Sequence, residues 1–421
     1  MHRSEWCVGF LLVWVSLMVF FVPGKCQPFS PIRDESPSLF VAQATGNGGL
    51  GRVYFVMNHK IVCLNGRTGA VIWSVKRPWS VKRPGQWDGP PYAGPLIAGH
   101  VLVYRGNDGV YGISLKNGKV KWVTSRGPLV GALAVGPDGV YNASLGLGLM
   151  ALNLRNGRIE WERRPVIAGK TQYPVLFVKL MAIAYADGRL YTDSPYIWNA
   201  RDGRQIGRLP KAVCGAHLMI IASTLVVSEG RVFLARSHSP VMALDAKTDR
   251  VLWTAPRPHF VTHQGRGRSV TLFASKRFLV ATFYAHSDLL AHHALIRVYD
   301  AANGHLLWQK AVAARTYLDN VASADNRQVY LLRGRKVAAF SARTGKRVWT
   351  YLCPVSNGLF GPAVSVGRTV LVVGYDTWHP ALYALNRMTG ELRWRYPFRP
   401  NVPGHLPGQR MGHSKRPRNS R

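Results

Sequence analysis

The sequence predicts an all-β fold, an eight-bladed β-propeller made of four-stranded antiparallel blades. Three observations carry this prediction. An eleven-residue unit recurs eight times, its last position returns about every 46 residues, and each copy follows segments rich in Val, Leu, Tyr and Phe. A repeat of roughly 40 to 50 residues with four short strands is typical of a propeller blade. Eight such blades use nearly the whole chain of 421 residues.

The repeated unit is clearest in ALNLRNGRIEW, residues 151–161. It contains a small residue, an apolar residue, a polar residue that favours a turn, a basic residue, a glycine, and an alternating strand that ends in Trp. The other copies keep this frame and begin at Cys63, Gly112, Ile197, Ala243, Val298, Ala339 and Ala384. Eight copies with the same internal spacing indicate a true repeat.

Two further strands precede each unit. One is long and apolar, as in GRVFLARS from Gly230, and approaches the period-two alternation of a strand. The strand before it contains small residues, as in GPLVGALAV from Gly127 and GPAVSVG from Gly361. Because the innermost strands crowd around a propeller axis, small side chains suit that position.

Most units pair the closing Trp with a glycine four residues earlier. A large flat ring fills the wedge-shaped gap between twisted sheets, and glycine permits a close backbone approach. Blade 4 has Gly207 in place of the Trp, and blade 5 has Asp249 in place of the Gly. The packing between blades is therefore predicted to be weakest on that side of the ring.

The unit resembles the tryptophan-docking motif of the quinoprotein (PQQ-type) repeat family, whose pattern runs Ala-x-Asp-x-x-Thr-Gly-Lys-x-x-Trp. The resemblance spans about residues 50–395. It implies a quinoprotein alcohol dehydrogenase-like propeller, in which the Trp of one blade packs near the Ala and Gly of its neighbour. The docking residues that it implies are Trp73, Trp122, Trp161, Trp253, Trp308, Trp349 and Trp394.

Redox enzymes of this family hold pyrroloquinoline quinone on the axis, with a Ca²⁺ ion bound by carboxylate and amide side chains. This sequence has no adjacent cysteine pair, and its predicted inner strands contain few acids. Asp319 and Asn320 are the best candidates for an axial polar pair, with a capping role in a loop as the alternative. We expect no cofactor and no metal. PQQ with Ca²⁺ belongs to the alternative hypothesis, a quinoprotein oxidoreductase acting on alcohols or sugars.

The chain is strongly basic, with 55 Lys and Arg residues, 20 Asp and Glu residues, and a formal net charge of +35. A field of this sign favours polyanionic partners, whereas an Arg-biased solvated surface is the plainer interpretation. We predict an acidic protein or an anionic polysaccharide as the partner, without specific nucleic-acid recognition.

Candidate contacts lie in connections between strands. A hexapeptide is duplicated in WSVKRPWSVKRP, residues 73–84, between blades 1 and 2, where extra length costs little. Blades 6 and 8 also have longer connections. Long loops that carry cations or exposed aromatic side chains suit contacts with a protein or a glycan, although they are equally explained as variable loops. The candidates are Lys76, Arg77, Lys82, Arg83, Arg266, Arg268, Trp378 and His379.

The N-terminus predicts export. Residues 1–24 have the pattern of a secretory signal peptide, with an apolar run from Val8 to Val22, and an uncleaved anchor is the alternative. Residues 25–49 are predicted to lead into the first blade, residues 50–398 to form the propeller, and residues 399–421 to form a basic, disordered tail.

Two further motifs bear on the compartment. Cys26, Cys63, Cys214 and Cys353 allow three disulfide connectivities, although Cys63 lies in an apolar run that favours a buried thiol. Asn142 begins an Asn-Ala-Ser sequence that is a possible glycosylation site.

The sequence therefore favours a non-catalytic propeller that acts as an interaction scaffold. It is predicted to be secreted or lumenal, or periplasmic in a bacterium. No transmembrane helix is predicted beyond the signal segment, and the sequence leaves the oligomeric state open.

Overall fold

The computed structural model describes sixteen ranges between residues 40 and 396: 40–43, 51–56, 60–76, 95–106, 109–125, 131–144, 148–163, 183–192, 196–210, 224–235, 239–258, 268–287, 291–314, 321–355, 358–376 and 379–396. They form 32 strands in eight four-stranded antiparallel sheets. Within these ranges, no helix has the length and apolarity needed to cross a bilayer. The predicted eight-bladed β-propeller is confirmed.

Each of the first four blades consists of four strands that follow one another in the chain. The strands are β1 (Phe40–Gln43), β2 (Arg52–Val56), β3 (Lys60–Asn65) and β4 (Val71–Lys76) in blade 1; β5 (Leu96–Ala98), β6 (Val101–Arg105), β7 (Gly109–Ser114) and β8 (Val120–Ser125) in blade 2; β9 (Gly131–Val135), β10 (Gly139–Ser144), β11 (Gly148–Asn153) and β12 (Ile159–Arg163) in blade 3; and β13 (Ile183–Ala186), β14 (Arg189–Thr192), β15 (Tyr196–Asn199) and β16 (Gln205–Arg208) in blade 4.

The last four blades have the same order. The strands are β17 (Thr224–Ser228), β18 (Arg231–Ala235), β19 (Val241–Asp245) and β20 (Val251–Ala255) in blade 5; β21 (Arg268–Ala274), β22 (Phe278–Ser287), β23 (Ala291–Asp300) and β24 (Leu306–Ala314) in blade 6; β25 (Val321–Ala324), β26 (Gln328–Arg333), β27 (Lys336–Ser341) and β28 (Arg347–Leu352) in blade 7; and β29 (Gly358–Val366), β30 (Thr369–Asp376), β31 (His379–Asn386) and β32 (Leu392–Tyr396) in blade 8.

The blades close into a ring through their first strands. Each first strand contacts the first strands of both neighbouring blades, and β29 of blade 8 contacts β1 of blade 1. Because β1 pairs with β2, Phe40 is the first residue of blade 1 that the structure describes. Small inner side chains such as Ala98, Ala132 and Ala322 are buried, as crowding near the axis requires.

The apolar core lies between adjacent blades rather than in one central layer. One cluster, for example, joins Val101 and Val103 of blade 2 with Leu133 and Val140 of blade 3. Since both faces of a blade are covered by its neighbours, the middle strands are mostly apolar, and β6 is buried at every position. The outer strands alternate instead between buried and exposed positions, as in β20.

Both exceptions to the repeat, Gly207 and Asp249, fall at the junction between blades 4 and 5. The Cβ of a larger residue at position 207 would lie 3.3 Å from Ile197 Cδ1, so the isoleucine occupies space near the absent ring. In the other seven blades, the residue paired with the closing Trp is Cys63, Gly112, Ala151, Ala243, Val298, Ala339 or Ala384. Six of those seven are glycine, alanine or cysteine, and Val298 is the largest.

Polar contacts also replace the Trp at this junction. The hydroxyl of Tyr191 donates to the carboxylate of Asp249 and lies 3.1 Å from the carbonyl oxygen of Ala246. Arg189 Nε donates to Asp249 Oδ2 at 3.2 Å. Asp249 has a φ of 59°, a left-handed backbone conformation that a non-glycine residue adopts at a cost of about 1 kcal/mol or more. Its contacts with blade 4 hold it there.

Candidate binding surface

Seven tryptophans fix the positions of the outer hairpins. Each ring nitrogen donates to a backbone carbonyl of the next blade, and Trp161, for example, lies 3.1 Å from the oxygen of Ala200. The acceptors of the other six are Leu115, Leu154, Ala301, Ala342, Arg387 and Gly66. The bond from Trp394 to Gly66 closes the ring. Seven of the eight outer hairpins are therefore held in the same way on one face of the propeller, and that of blade 5 is held through Asp249 instead.

The turn between the third and fourth strands, which we name the tip, has six residues. In blade 3 it runs from Asn153 to Arg158. The side-chain oxygen of Asn153 accepts from the backbone N–H of Arg155 at 2.9 Å, and the N–H of Gly157 donates to the Asn153 carbonyl at 2.8 Å. Gly157 has a φ of 73°, and a Cβ there would lie 2.6 Å from the ring of Trp122. The glycine is thus pinned under the neighbouring Trp, while the third and sixth positions stay exposed.

The third and sixth positions of four consecutive tips are all basic and exposed, in blades 2, 3, 4 and 5. We name this set the cationic arc, and its members are Lys116, Lys119, Arg155, Arg158, Arg201, Arg204, Lys247 and Arg250. Arg204 lies 3.7 Å from the carboxylate of Asp202, and both side chains are largely solvated. None of the other seven cations forms an ion pair with a described residue. The arc is therefore a row of available positive charges.

Acids border the arc on its inner side. The turn between the first two strands lies on the same face as the tip, because the strands of a blade run up and down in order. In blades 3, 4 and 5 this inner turn carries the exposed acids Asp138, Asp187 and Glu229. Glu229 forms an ion pair with Lys276 of blade 6 at 3.2 Å. Positive charge thus follows the outer tips, whereas negative charge lies nearer the axis.

The remaining tips interrupt the pattern. Blade 6 has Ala302 and His305 at the two positions, and blade 8 has Met388 and Glu391. Blade 1 has one cation, Arg67, at its third position. Blade 7 has Arg343 and Lys346, but the tips on both sides of it lack a basic pair. The continuous part of the charge therefore covers half of the ring.

One acid at the start of an arc tip accepts hydrogen bonds from the backbone of that tip. Asp245 begins the tip of blade 5, and its carboxylate accepts from the N–H groups of Thr248 and Lys247 and from the Thr248 hydroxyl. The backbone N–H of Thr248, followed by its hydroxyl, lowers the pKa of Asp245. The ionised carboxylate thus stabilises the turn that presents Lys247 and Arg250.

Most of the candidate contacts taken from the sequence lie outside the described residues. These are Arg77, Lys82, Arg83, Arg266 and Trp378, and also the axial candidates Asp319 and Asn320.

Three candidate contacts lie within the described strands. Lys76 is exposed at the end of β4, opposite Lys60 of β3. Arg268 begins β21 and His379 begins β31. None of the three belongs to the cationic arc.

The glycosylation prediction does not fit the structure. Asn142 lies in β10 between Leu133 of β9 and Met150 of β11, and its side chain is fully buried. A glycan on this nitrogen would have no room inside the folded blade.

The two cysteines that the structure describes are both buried and free. They are Cys63 and Cys353, and burial raises the pKa of Cys63 to about 11 and that of Cys353 to about 12. The buried-thiol interpretation of Cys63 is confirmed, and a disulfide between these two residues is excluded. Cys26 and Cys214 lie outside the described residues.

The described inner strands do not fit a PQQ and calcium site. The sequences of β1, β5, β9, β13, β17, β21, β25 and β29 contain no Asp or Glu. Calcium takes oxygen ligands, with carboxylates prominent among them, and these strands offer mainly Ser and Thr hydroxyls. Among the residues that the structure describes, no group of three or more His, Cys, Asp or Glu side chains is placed to hold a metal ion.

Sequence reasoning missed the arc although the repeat contained its signal. The unit shows a basic residue before the glycine, but only a comparison of the third and sixth positions across all eight copies separates blades 2 to 5 from the rest.

The matched sequence and the fold place the chain in a known family. The family model described as "Outer membrane protein assembly factor BamB" matches residues 41–174, 179–336 and 333–408, which together cover most of the chain. The chain belongs to this family of PQQ-type propeller repeats. A comparison with curated proteins found no match.

Solved structures of this family's fold are similar to the chain at low sequence identity. The computationally designed Ika8 protein is 12% identical, with a TM-score of 0.56 over 82% of this chain and 96% of its own. The quinohemoprotein alcohol dehydrogenase ADHIIG from Pseudomonas putida HK5 is 13% identical, with a TM-score of 0.51 over 83% and 74%. BamB from Moraxella catarrhalis is 14% identical over 79% and 81%, with a TM-score of 0.39. At these identities the likeness concerns the fold alone.

Proposed function

We propose that this protein is a non-catalytic scaffold that binds an acidic macromolecule on the tip face of the propeller. The observation that supports the proposal is the cationic arc: eight exposed cations on four neighbouring tips, seven of them without an ion-pair partner among the described residues. A surface with an excess of one charge attracts a partner of the opposite sign and raises its rate of association.

Two further observations support a binding role. The family model carries the description of an assembly factor, which is the kind of protein that works by holding partners. The tips of the arc are also rigidly held, since those of blades 2, 3 and 4 pack under a tryptophan of the preceding blade and that of blade 5 is bonded to Tyr191 and Arg189. A preformed surface loses less entropy on binding than a flexible one.

We further propose that the chain is exported, with residues 1–24 as the signal. N-terminal sequencing of protein recovered outside the cytoplasm tests this proposal. A mature chain that starts near residue 25 is the expected result, and recovery of the full chain in the cytoplasm would contradict it.

The scaffold proposal is tested with the purified full chain on two immobilised polyanions, poly-L-glutamate and heparin. The wild type is compared with an arc variant in which Arg155, Arg158, Arg201 and Arg204 become Gln. We expect at least one polyanion to retain the wild type at a higher salt concentration than the arc variant. Equal retention of both proteins on both columns would show that the arc is not part of the binding surface.

The oxidoreductase alternative is tested separately. Purified protein is titrated with PQQ and Ca²⁺ while thermal stability and dye reduction with alcohols or sugars are followed. A scaffold gives no stoichiometric binding and no turnover. Dye reduction above the cofactor-only control would overturn the non-catalytic assignment.

A further inference from the structure

The arrangement of charge on the tip face narrows the chemical class of the partner. The four tips of the cationic arc follow one another around the ring, and each contributes two cations that flank the fourth and fifth residues of its turn. The spacing from one pair to the next is set by the blade repeat, because the tips of blades 2, 3 and 4 are held by a neighbouring tryptophan and that of blade 5 by Tyr191 and Arg189. The positive charge therefore forms a curved track and not a single pocket.

The side chains between the cations are small and polar. The fourth positions of the four tips are Asn117, Asn156, Asp202 and Thr248. The core of an interface with a folded protein is usually rich in aromatic and other apolar side chains. The exposed positions of these tips carry no such side chain, so contacts here rest on charge and hydrogen bonding.

The acids on the inner turns limit how a partner can lie. Asp138, Asp187 and Glu229 are exposed on the same face, nearer the axis than the arc. A flat anionic membrane would press against these carboxylates together with the cations. A narrow anionic chain that follows the outer tips avoids them.

We propose that the cationic arc binds a linear acidic polysaccharide, a sulfated or uronic-acid chain laid along the tips of blades 2 to 5. This inference rests on the proposed scaffold function and names its ligand. Sulfate and carboxylate groups repeat along such a chain, and Arg and Lys bind them through charge-assisted hydrogen bonds. Single-stranded nucleic acid needs aromatic side chains for base stacking, and the four tips provide none.

The experiment uses the full chain and size-fractionated heparin oligosaccharides, with poly-L-glutamate and duplex DNA as competing polyanions. The affinity for the oligosaccharides should rise with their length and then level off once the chain spans the four tips. At equal ionic strength, heparin fragments should bind more tightly than poly-L-glutamate or DNA of similar charge.

A matched control separates position from total charge. The arc variant described above loses four cations, and a blade 7 variant loses four on the same face: Arg327, Arg343, Lys346 and Arg347, each changed to Gln. We expect the arc variant to bind heparin about tenfold or more weakly, with a smaller salt dependence, because counterion release scales with the number of cation contacts. The blade 7 variant should stay within about twofold of the wild type, since its cations lie outside the track.

The outcomes distinguish this inference from the scaffold proposal. Tighter arc-dependent binding of poly-L-glutamate, or equal binding of DNA, would overturn the polysaccharide inference and leave the scaffold proposal in place. Equal losses of heparin affinity in the two variants would show that total charge alone decides binding, and this would overturn the inference that the ligand follows the arc. If no polyanion depends on the arc, both proposals fail.

Discussion

The junction between blades 3 and 4 and the junction between blades 4 and 5 satisfy equivalent backbone carbonyls in different ways. At the first, the ring nitrogen of Trp161 donates to the carbonyl of Ala200 at 3.1 Å. At the second, where no Trp is present, the hydroxyl of Tyr191 reaches the carbonyl of Ala246, also at 3.1 Å. Both junctions have a carbonyl acceptor at the equivalent place, but its polar neighbour lies on the fourth strand of the blade at the first junction and on the second strand at the second junction.

The two junctions also differ in what fills the remaining space. A buried ring covers Gly203 at the first junction, whereas Ile197 and the carboxylate of Asp249 lie at the second. The Asp249 side chain is 23% exposed, so its ion pair with Arg189 is partly screened by water and contributes modestly. A repeat with an altered residue must therefore be compared with the adjoining blade, because two exceptions far apart in sequence meet in one contact.

The largest expected effect comes from removing the buried tryptophan at the junction between blades 3 and 4. Trp161→Ala should lower the free energy of unfolding by about 3–5 kcal/mol, since it leaves a cavity and an unpaired carbonyl at Ala200. Ile206→Ala, at an exposed position of the outer strand in blade 4, is the control and should change the free energy by less than about 0.5 kcal/mol. Urea unfolding measures both. Similar losses in the two variants would contradict a structural role for Trp161.

Restoring the missing ring alone should also destabilise the protein. Gly207→Trp places an indole where Ile197 already packs, and overpacking of this kind costs about 1–3 kcal/mol. The triple variant Gly207→Trp, Ile197→Ala, Asp249→Gly recreates the usual set of residues and should recover most of that loss. If the single variant were as stable as the triple variant, Ile197 and Asp249 would not be filling the place of the ring.

The comparison shows which part of the fold the sequence could predict. The eight blades and the seven docking tryptophans follow from the strict spacing of the repeat. Trp394 and Gly66, at opposite ends of the propeller sequence, make the same contact as the other six tryptophans and their acceptors. The sequence also showed Gly207 and Asp249 as exceptions. It could not show that Tyr191 supplies the hydrogen bond, because a tyrosine at the same strand position in blade 3, Tyr141, makes a different contact.

The candidate site was less predictable for a related reason. Charged residues at a turn have no packing partner that restricts them, so a single repeat gives no sign of function. The cationic arc becomes visible only when the tips are placed side by side on one face. Arg155 and Arg201 are then neighbours across a blade boundary, although a whole blade separates them in sequence.

The two tyrosines at this strand position provide the next test. Tyr191→Phe removes the hydroxyl that donates to Asp249 and lies close to the Ala246 carbonyl, and it should cost about 1–2 kcal/mol at neutral pH. Tyr141 stacks on Tyr185 with ring centroids 5.5 Å apart, a contact that Phe retains, so Tyr141→Phe should cost less than about 0.5 kcal/mol. Urea unfolding of the two variants gives the difference, and equal costs would mean that the Tyr191 hydroxyl does not carry the junction.

The same pair predicts a dependence on alkaline pH. Burial, together with the hydrogen bond to Asp249, raises the pKa of Tyr191, and burial raises the pKa of Tyr141 to about 12. A raised folded-state pKa gives stability that is complete below the unfolded value of about 10 and is lost as the pH rises above it. The wild type should therefore lose stability as the pH rises from about 10 to about 12, and each Phe variant should lose less. A wild type with constant stability over this range would contradict the raised pKa values of Tyr191 and Tyr141.

The smallest expected effect comes from two substitutions of Asp249, which distinguish the contribution of its backbone conformation to stability from that of its side chain. Asp249→Ala keeps the left-handed conformation but removes the contacts with Arg189 and Tyr191, so it should cost about 1 kcal/mol or more. Asp249→Gly removes the same contacts and also relieves the backbone, so the net change should be less than about 0.5 kcal/mol. Urea unfolding at low and high salt measures both, and the cost of the Ala variant should shrink at high salt because the ion pair is screened. If the Gly variant were the less stable of the two, the conformation at position 249 would carry no strain, and the carboxylate would replace the tryptophan at no cost to the backbone.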